Sequence, residues 1–90
     1  MSVTMYTRAG CPFCIRAEHL LESKGVHAIT RIRVDTSPQH RVEMVARTGR
    51  WTVPQIFIGD RHVGGFDDLA ASNRNGRLDA WLQACIAGDE

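Results

Sequence analysis

Two cysteines separated by a proline and a phenylalanine, Cys11-Pro12-Phe13-Cys14, sit where a run of strand-forming residues gives way to a helical pattern. Ser2 to Thr7 is rich in β-branched and aromatic residues, the composition of a strand, and Ala9-Gly10 breaks it. Pro12 then falls at the first helical position, where its missing N–H costs nothing. Phe13, Ala17, Leu20 and Leu21 follow at the spacing of one helix face, and Gly25 is placed to end the helix. The chain is therefore expected to pass from strand to helix at the cysteines. That puts Cys11 in the first turn, among unpaired N–H groups and at the positive end of the helix dipole.

The rest of the chain repeats this alternation. His27 to Val34 is expected to be a half-buried strand with Ala28, Thr30, Ile32 and Val34 on one side. Ser37-Pro38 reads as an N-cap and first helical residue, Val42, Val45 and Ala46 as the apolar stripe of that helix, and Gly49 as its end. Val53 to Ile58 is expected to be a third strand, Gly59-Asp60 a hairpin turn and Arg61 to Gly64 a fourth strand. Asp67-Asp68 suits a helix N-terminus. Leu78, Trp81, Leu82 and Cys85 mark a final amphipathic helix after a break at Asn75-Gly76. The order β-α-β-α-β-β-α predicts an α/β fold, a mixed four-stranded sheet flanked by helices, with one parallel pair and a closing antiparallel hairpin.

Ninety residues are expected to make one domain, spanning 1–90. A formal net charge of +1 gives no bulk field for nucleic acid or an acidic membrane. Met1 to Gly10 carries neither the basic nor the apolar region of a secretory signal, and no apolar run is long enough to span a bilayer, so the expected location is the cytoplasm. In that setting a C-x-x-C reads as redox or metal chemistry rather than a structural crosslink. Structural zinc would want a second ligand pair. Only Cys85 follows, and His19, His27, His40 and His62 show no paired spacing, so no metal is expected. An inert core pair is disfavoured by a proline between the cysteines at a helix start.

A thiolate at Cys11 is stabilised by the helix N-terminus, so its pKa is expected below that of a free thiol. The thiolate is the species that attacks disulfides. Cys14, one turn on, is expected to be the more buried and to act second, with Phe13 walling one side of the site. Cys85, on the stripe with Leu78 and Leu82, is expected to be a buried, inert thiol. Trp51 divides between packing and substrate contact. At Val53-Pro54 an X-Pro bond of the cis kind would turn the Val53 backbone outward, to pair with an extended peptide.

Three blocks, Tyr6-Thr7-Arg8-x-x-Cys11-Pro12-Phe13-Cys14, then Thr52-Val53-Pro54-Gln55-Ile56-Phe57-Ile58, then Gly64-Gly65-Phe66-Asp67-Asp68, resemble the signatures of the dithiol glutaredoxins, in particular the small bacterial glutaredoxin 3 type. The resemblance covers almost the whole chain. It implies a thioredoxin-like fold with Pro54 cis, and glutathione lying in a groove between the three blocks. Cys11 would carry the mixed disulfide with glutathione, and Val53, flanked by Thr52 and Pro54, would pair with its cysteinyl backbone. The Phe66 and Asp67 amides, after Gly65, would take the γ-glutamyl carboxylate, in keeping with anion binding at helix N-termini. Asp67 would also face the ammonium, and Arg8 and Arg41 would hold the glycyl carboxylate. The chain departs from the family pattern at Phe13 (commonly tyrosine), Arg8 (commonly lysine) and Phe66 (commonly small).

The function so implied is reduction of protein–glutathione mixed disulfides and protein disulfides, with glutathione as co-substrate and no tightly bound cofactor; no patch of the sequence demands a dimer, so a monomer is expected. Two alternatives stay open at the level of sequence. One is a thioredoxin-like reductant recycled by a flavoprotein reductase. The other is an iron–sulfur carrier in which two chains share a cluster through Cys11 and two glutathiones.

Overall fold

The computed structural model describes residues 2–86. In chain order the elements are β1 (Val3–Thr7), α1 (Pro12–Ser23), β2 (Ile29–Arg33), α2 (Pro38–Thr48), β3 (Gln55–Ile58), β4 (Arg61–Gly64), α3 (Phe66–Arg74) and α4 (Arg77–Ile86). The sheet runs β2-β1-β3-β4. β1 pairs in parallel with β2, Val3 opposite Ile29, and antiparallel with β3, Val3 opposite Ile58. β4 returns antiparallel on β3 through the Gly59 turn. This is the mixed four-stranded α/β architecture expected from the sequence, with the terminal helical region divided in two. Gly76, at φ 84°, interrupts the backbone between α3 and α4, and the Asn75 Oδ1 restarts it by accepting the Arg77 N–H at 3.0 Å.

Side chains alternate across the two central strands, so each face of the sheet has its own core. Val3 and Met5 of β1 and Ile56 and Ile58 of β3 point to one side. There they pack with Leu21 of α1, Leu69 of α3, and Leu78, Leu82 and Cys85 of α4. Tyr6 and Phe57 point to the other side and pack with Val34 and with Met44 of α2. Each fully buried side chain of this size stabilises the fold by about 1.5–3 kcal/mol before entropic costs. Both cores converge at the end of the sheet where β1 runs into α1 and where β3 begins, and the cysteines sit there.

Three expectations are corrected by this packing. On α1 the buried residues are Cys14, Ala17 and Leu21, while Phe13 is 51% exposed and stands off the core. On β2 the buried residue is Ile29, and of the side expected to be covered Ala28 and Thr30 are exposed while Ile32 is half-buried and Val34, just past the strand, is buried, because the core beneath that side of this edge strand reaches only its second half. On α2 the expected stripe of Val42, Val45 and Ala46 is displaced. Met44 alone is buried, and Val42 is 70% exposed. The physical reason is Arg47, whose guanidinium lies 3.9 Å from the centre of the Phe57 ring and donates to the Tyr6 hydroxyl at 2.9 Å. The stem and plane of an arginine cover aromatic surface there, where the sequence pattern asked for aliphatic residues.

Candidate active site

Cys11 is the N-cap of α1, in extended conformation, with Pro12 in the first helical turn. Its sulfur accepts the Cys14 N–H at 3.2 Å, so the residue that would carry charge is already solvated by the helix backbone. Cys11 and Cys14 are joined as a disulfide with Cα atoms 5.2 Å apart. The expected difference in burial is small: Cys11 is 3% exposed and Cys14 2%. Cys11 Sγ also lies 4.0 Å from the Val53 carbonyl oxygen, across the gap to the loop before β3. The Val53–Pro54 peptide is cis, as expected.

Beside this pair opens a cavity of about 230 Å³. Phe13, Thr52, Val53, Pro54, Gly65, Phe66 and Asp67, all expected at the site, line it together. The Phe13 and Phe66 rings stand 6.2 Å apart at its apolar side. At its polar side lies the start of α3, whose first-turn N–H groups have no intrahelical acceptor. Asp68 takes one N–H from outside that set: its Oδ2 accepts the Gly65 N–H at 3.0 Å.

Three lining residues were not expected: Arg50, Gln55 and Asp68. Gln55 is fully buried at the start of an otherwise apolar strand, which is the signal that would have found it. Its Nε2 donates to the Thr52 carbonyl at 3.0 Å and its Oε1 bonds His62 Nε2 at 2.8 Å, fixing the loop to β4. Burial, then the nearby Arg50 charge, lowers the His62 pKa and favours its neutral form. Arg50 meets Asp68 Oδ2 at 2.8 Å. That bond first, then the Gly65 N–H, lowers the Asp68 pKa and keeps it charged.

Arg8 and Arg41 do not line the cavity. Arg8 curls onto its own loop, donating to the Ala9 and Gly10 carbonyls at 3.2 and 3.3 Å. Arg41 donates to the Trp51 carbonyl at 3.4 Å and lies with Val42, Val45, Ala46 and Trp51 around a separate apolar depression on α2. Cys85 is buried as expected, and its sulfur accepts the Ser2 N–H at 3.4 Å. Among the described residues no group of three or more His, Cys, Asp or Glu side chains is placed to hold a metal ion, and no helix is long and apolar enough to cross a membrane.

A buried disulfide at a helix N-terminus, beside a cavity that carries an aromatic wall, the Val53 backbone and the unpaired amides of a helix start, is suited to exchange with the disulfide of a small peptide thiol. Comparison with known proteins points the same way. The family model for glutaredoxin matches residues 3–63. A glutaredoxin of Pseudomonas aeruginosa is 52% identical over 82 residues, 91% of this chain and 96% of its own. Glutaredoxin 3 of Escherichia coli K12 is 48% identical over 82 residues, 91% of this chain and 98% of its own. The crystal structure of a buckwheat glutaredoxin–glutathione complex superposes with a TM-score of 0.84 at 28% identity, covering 94% of this chain and 79% of that one.

Proposed function

This chain belongs to the glutaredoxin family and is a glutathione-dependent thiol–disulfide oxidoreductase, and on that premise we propose how its residues divide the work. Cys11 is the attacking thiol and Cys14 the resolving one. The observation that carries this assignment is the Cys11 sulfur itself, which caps α1, accepts the Cys14 N–H and lies beside the cavity at the Val53 backbone.

The oxidised pair is opened by one glutathione thiolate attacking Cys11 Sγ. The Cys11–Cys14 bond breaks, a bond from Cys11 to glutathione forms, and Cys14 leaves as thiolate and takes a proton. A second glutathione attacks the glutathione sulfur of that mixed disulfide. Oxidised glutathione departs with the two oxidising equivalents and Cys11 is released as thiolate, stabilised by the Cys14 N–H and the helix dipole. In the other half-reaction this thiolate attacks the glutathione sulfur of a glutathionylated protein. The protein leaves as a thiol and glutathione remains on Cys11. With a protein disulfide, Cys11 takes one protein sulfur and Cys14 then resolves the mixed disulfide, regenerating the Cys11–Cys14 bond. Glutaredoxin potentials, about −200 to −230 mV, sit near the cytosolic glutathione poise, so the pool drives the cycle in either direction.

Glutathione is seated with its cysteinyl backbone on Val53, flanked by Thr52 and Pro54, and its chain against Phe13. Its γ-glutamyl end lies at Gly65, Phe66 and Asp67, where the α3 amides take the carboxylate and Asp67 the ammonium. The glycyl end leaves the cavity toward Arg8 and Arg41. The enzyme acts in the cytoplasm as a monomer on glutathionylated or disulfide-bearing proteins, with glutathione as co-substrate and no tightly held cofactor.

The test is reduction of a small glutathione mixed disulfide coupled to glutathione reductase and NADPH. Wild type and Cys14→Ser turn over, Cys11→Ser does not, and only wild type reduces a protein disulfide. Loss of both activities in Cys14→Ser would reverse the assigned roles. Wild-type turnover with thioredoxin reductase and none with glutathione would replace this reading by the thioredoxin-like one.

A further inference from the structure

Arg50 is held in place at both ends. Its backbone N–H donates to Thr48 Oγ1 at 3.0 Å, and the same hydroxyl is anchored to the Met44 carbonyl at 2.7 Å. Among the described residues its guanidinium makes one hydrogen bond, Nη1 to Asp68 Oδ2 at 2.8 Å. A guanidinium has five N–H donors in one plane, so the rest of the fork is left for another acceptor. The side chain is about half exposed and lines the cavity on the side of the α3 start. Arg8 and Arg41 lie outside that cavity, and among the described residues Arg50 is the arginine that lines it.

Charge balance inside the cavity indicates what the fork would meet. Arg50 and Asp68 cancel. Asp67 contributes one further negative charge, and the first-turn amides of α3 contribute partial positive charge. A lone carboxylate would feel Asp67, and a lone ammonium would feel Arg50. A group with ammonium and carboxylate on one carbon satisfies both, its carboxylate on Arg50 and the α3 amides and its ammonium on Asp67. Of the two ends of glutathione only the γ-glutamyl end has that form.

We propose that Arg50, braced by Asp68 and Thr48, is a specificity-determining residue that binds the α-carboxylate of the γ-glutamyl end of the substrate. The assignment rests on the glutathione reading above and adds to it the side chain that distinguishes a γ-glutamyl thiol from a shorter one. Bracing matters because an arginine ordered before binding loses little entropy when it binds, and its planar fork meets a carboxylate with two parallel bonds. Lysine in its place would keep the charge and lose the fork.

Three mixed disulfides of 2-mercaptoethanol separate the outcomes: with glutathione, with γ-glutamylcysteine and with cysteinylglycine. Each is mixed with reduced Cys14→Ser protein, in which the Cys11 adduct accumulates, and adduct formation is followed by intact mass against disulfide concentration. Adding Arg50→Ala raises the half-saturating concentration about 10- to 100-fold for glutathione and γ-glutamylcysteine. It leaves cysteinylglycine unchanged and the limiting rate within about twofold. Arg50→Lys falls between, and both variants keep the parent's melting temperature within a few degrees. An equal loss on all three disulfides would make Arg50 a structural brace and overturn the proposal. A loss confined to glutathione and cysteinylglycine would place it at the glycyl end and overturn it equally. A parent protein that reacts with none of the three would instead remove the glutathione reading on which the assignment rests.

Discussion

Gly64 has φ 119°, a backbone conformation that residues with a Cβ rarely adopt. A Cβ built there would fall 2.3 Å from Asp68 Oδ2, so the position is closed by sterics as well as by backbone preference. Gly64→Ala is expected to cost about 1–3 kcal/mol in urea unfolding and to weaken substrate binding by displacing Asp68 from Arg50. Asp68 itself gives a pH signature. Its folded pKa lies below the ordinary 3.8, so its contribution is complete above that value and is lost as pH falls below it. The urea midpoint of wild type is therefore expected to drop more steeply on acidification below about pH 4 than that of Asp68→Asn; parallel curves would show that the Arg50–Asp68 pair is not coupled to folding. Glycine, proline and cysteine are the residues whose roles were readable in the sequence, because each demands a particular backbone or a particular chemistry. Arg50 was not readable: an arginine between Gly49 and Trp51 has no pattern around it, and only the fold brings Asp68 to it.

α2 shows why elements are easier to recognise than the faces they bury. Pro38 at its start and Gly49 at its end, the latter with φ 71°, delimited it correctly. Its apolar spacing pointed to Val42, Val45 and Ala46, whereas the sheet beneath presents Tyr6 and Phe57, and these are covered by Met44 and Arg47. Met44→Ala is accordingly expected to destabilise the protein by about 2–5 kcal/mol, and Val42→Ala to stay within about 0.5 kcal/mol, both by chemical denaturation. The reverse order would mean that the helix lies on the sheet by its Val42 face. β2 was misread for a related reason. Strict alternation is the mark of a strand half covered along its length, and β2, at the end of the sheet, is covered only at Ile29 and toward Val34. The helix start at Asp67-Asp68, the break at Asn75-Gly76 and the amphipathic stripe after it were all visible, but the element order counted one helix where the structure has α3 and α4.

For the whole molecule, the order β2-β1-β3-β4 places β1 and β3 in the middle, buried on both faces, between two cores. Native-state hydrogen exchange should find the amides of β1 and β3 the slowest, opening only with global unfolding, and those of β2 and β4 faster by sub-global opening. Equal protection across all four strands would contradict that hierarchy. The β-α-β-α-β-β order and the mixed sheet were legible because hydrophobic periodicity and turn residues recur along the chain; of the residues that meet across the site, those in the three signature blocks were named by resemblance, whereas the contact of Arg50 with Asp68 was not, since it joins residues 18 positions apart that no local pattern links. The two terminal strands carry charge and bulk along them. Arg31 is paired with Glu18 and Arg33 with Asp35, and on the far side Arg61 lies 4.9 Å from the centre of the Trp81 ring. A foreign strand zipping onto β2 would have to strip water from four formal charges, so crowding should not drive these molecules into fibres through that edge.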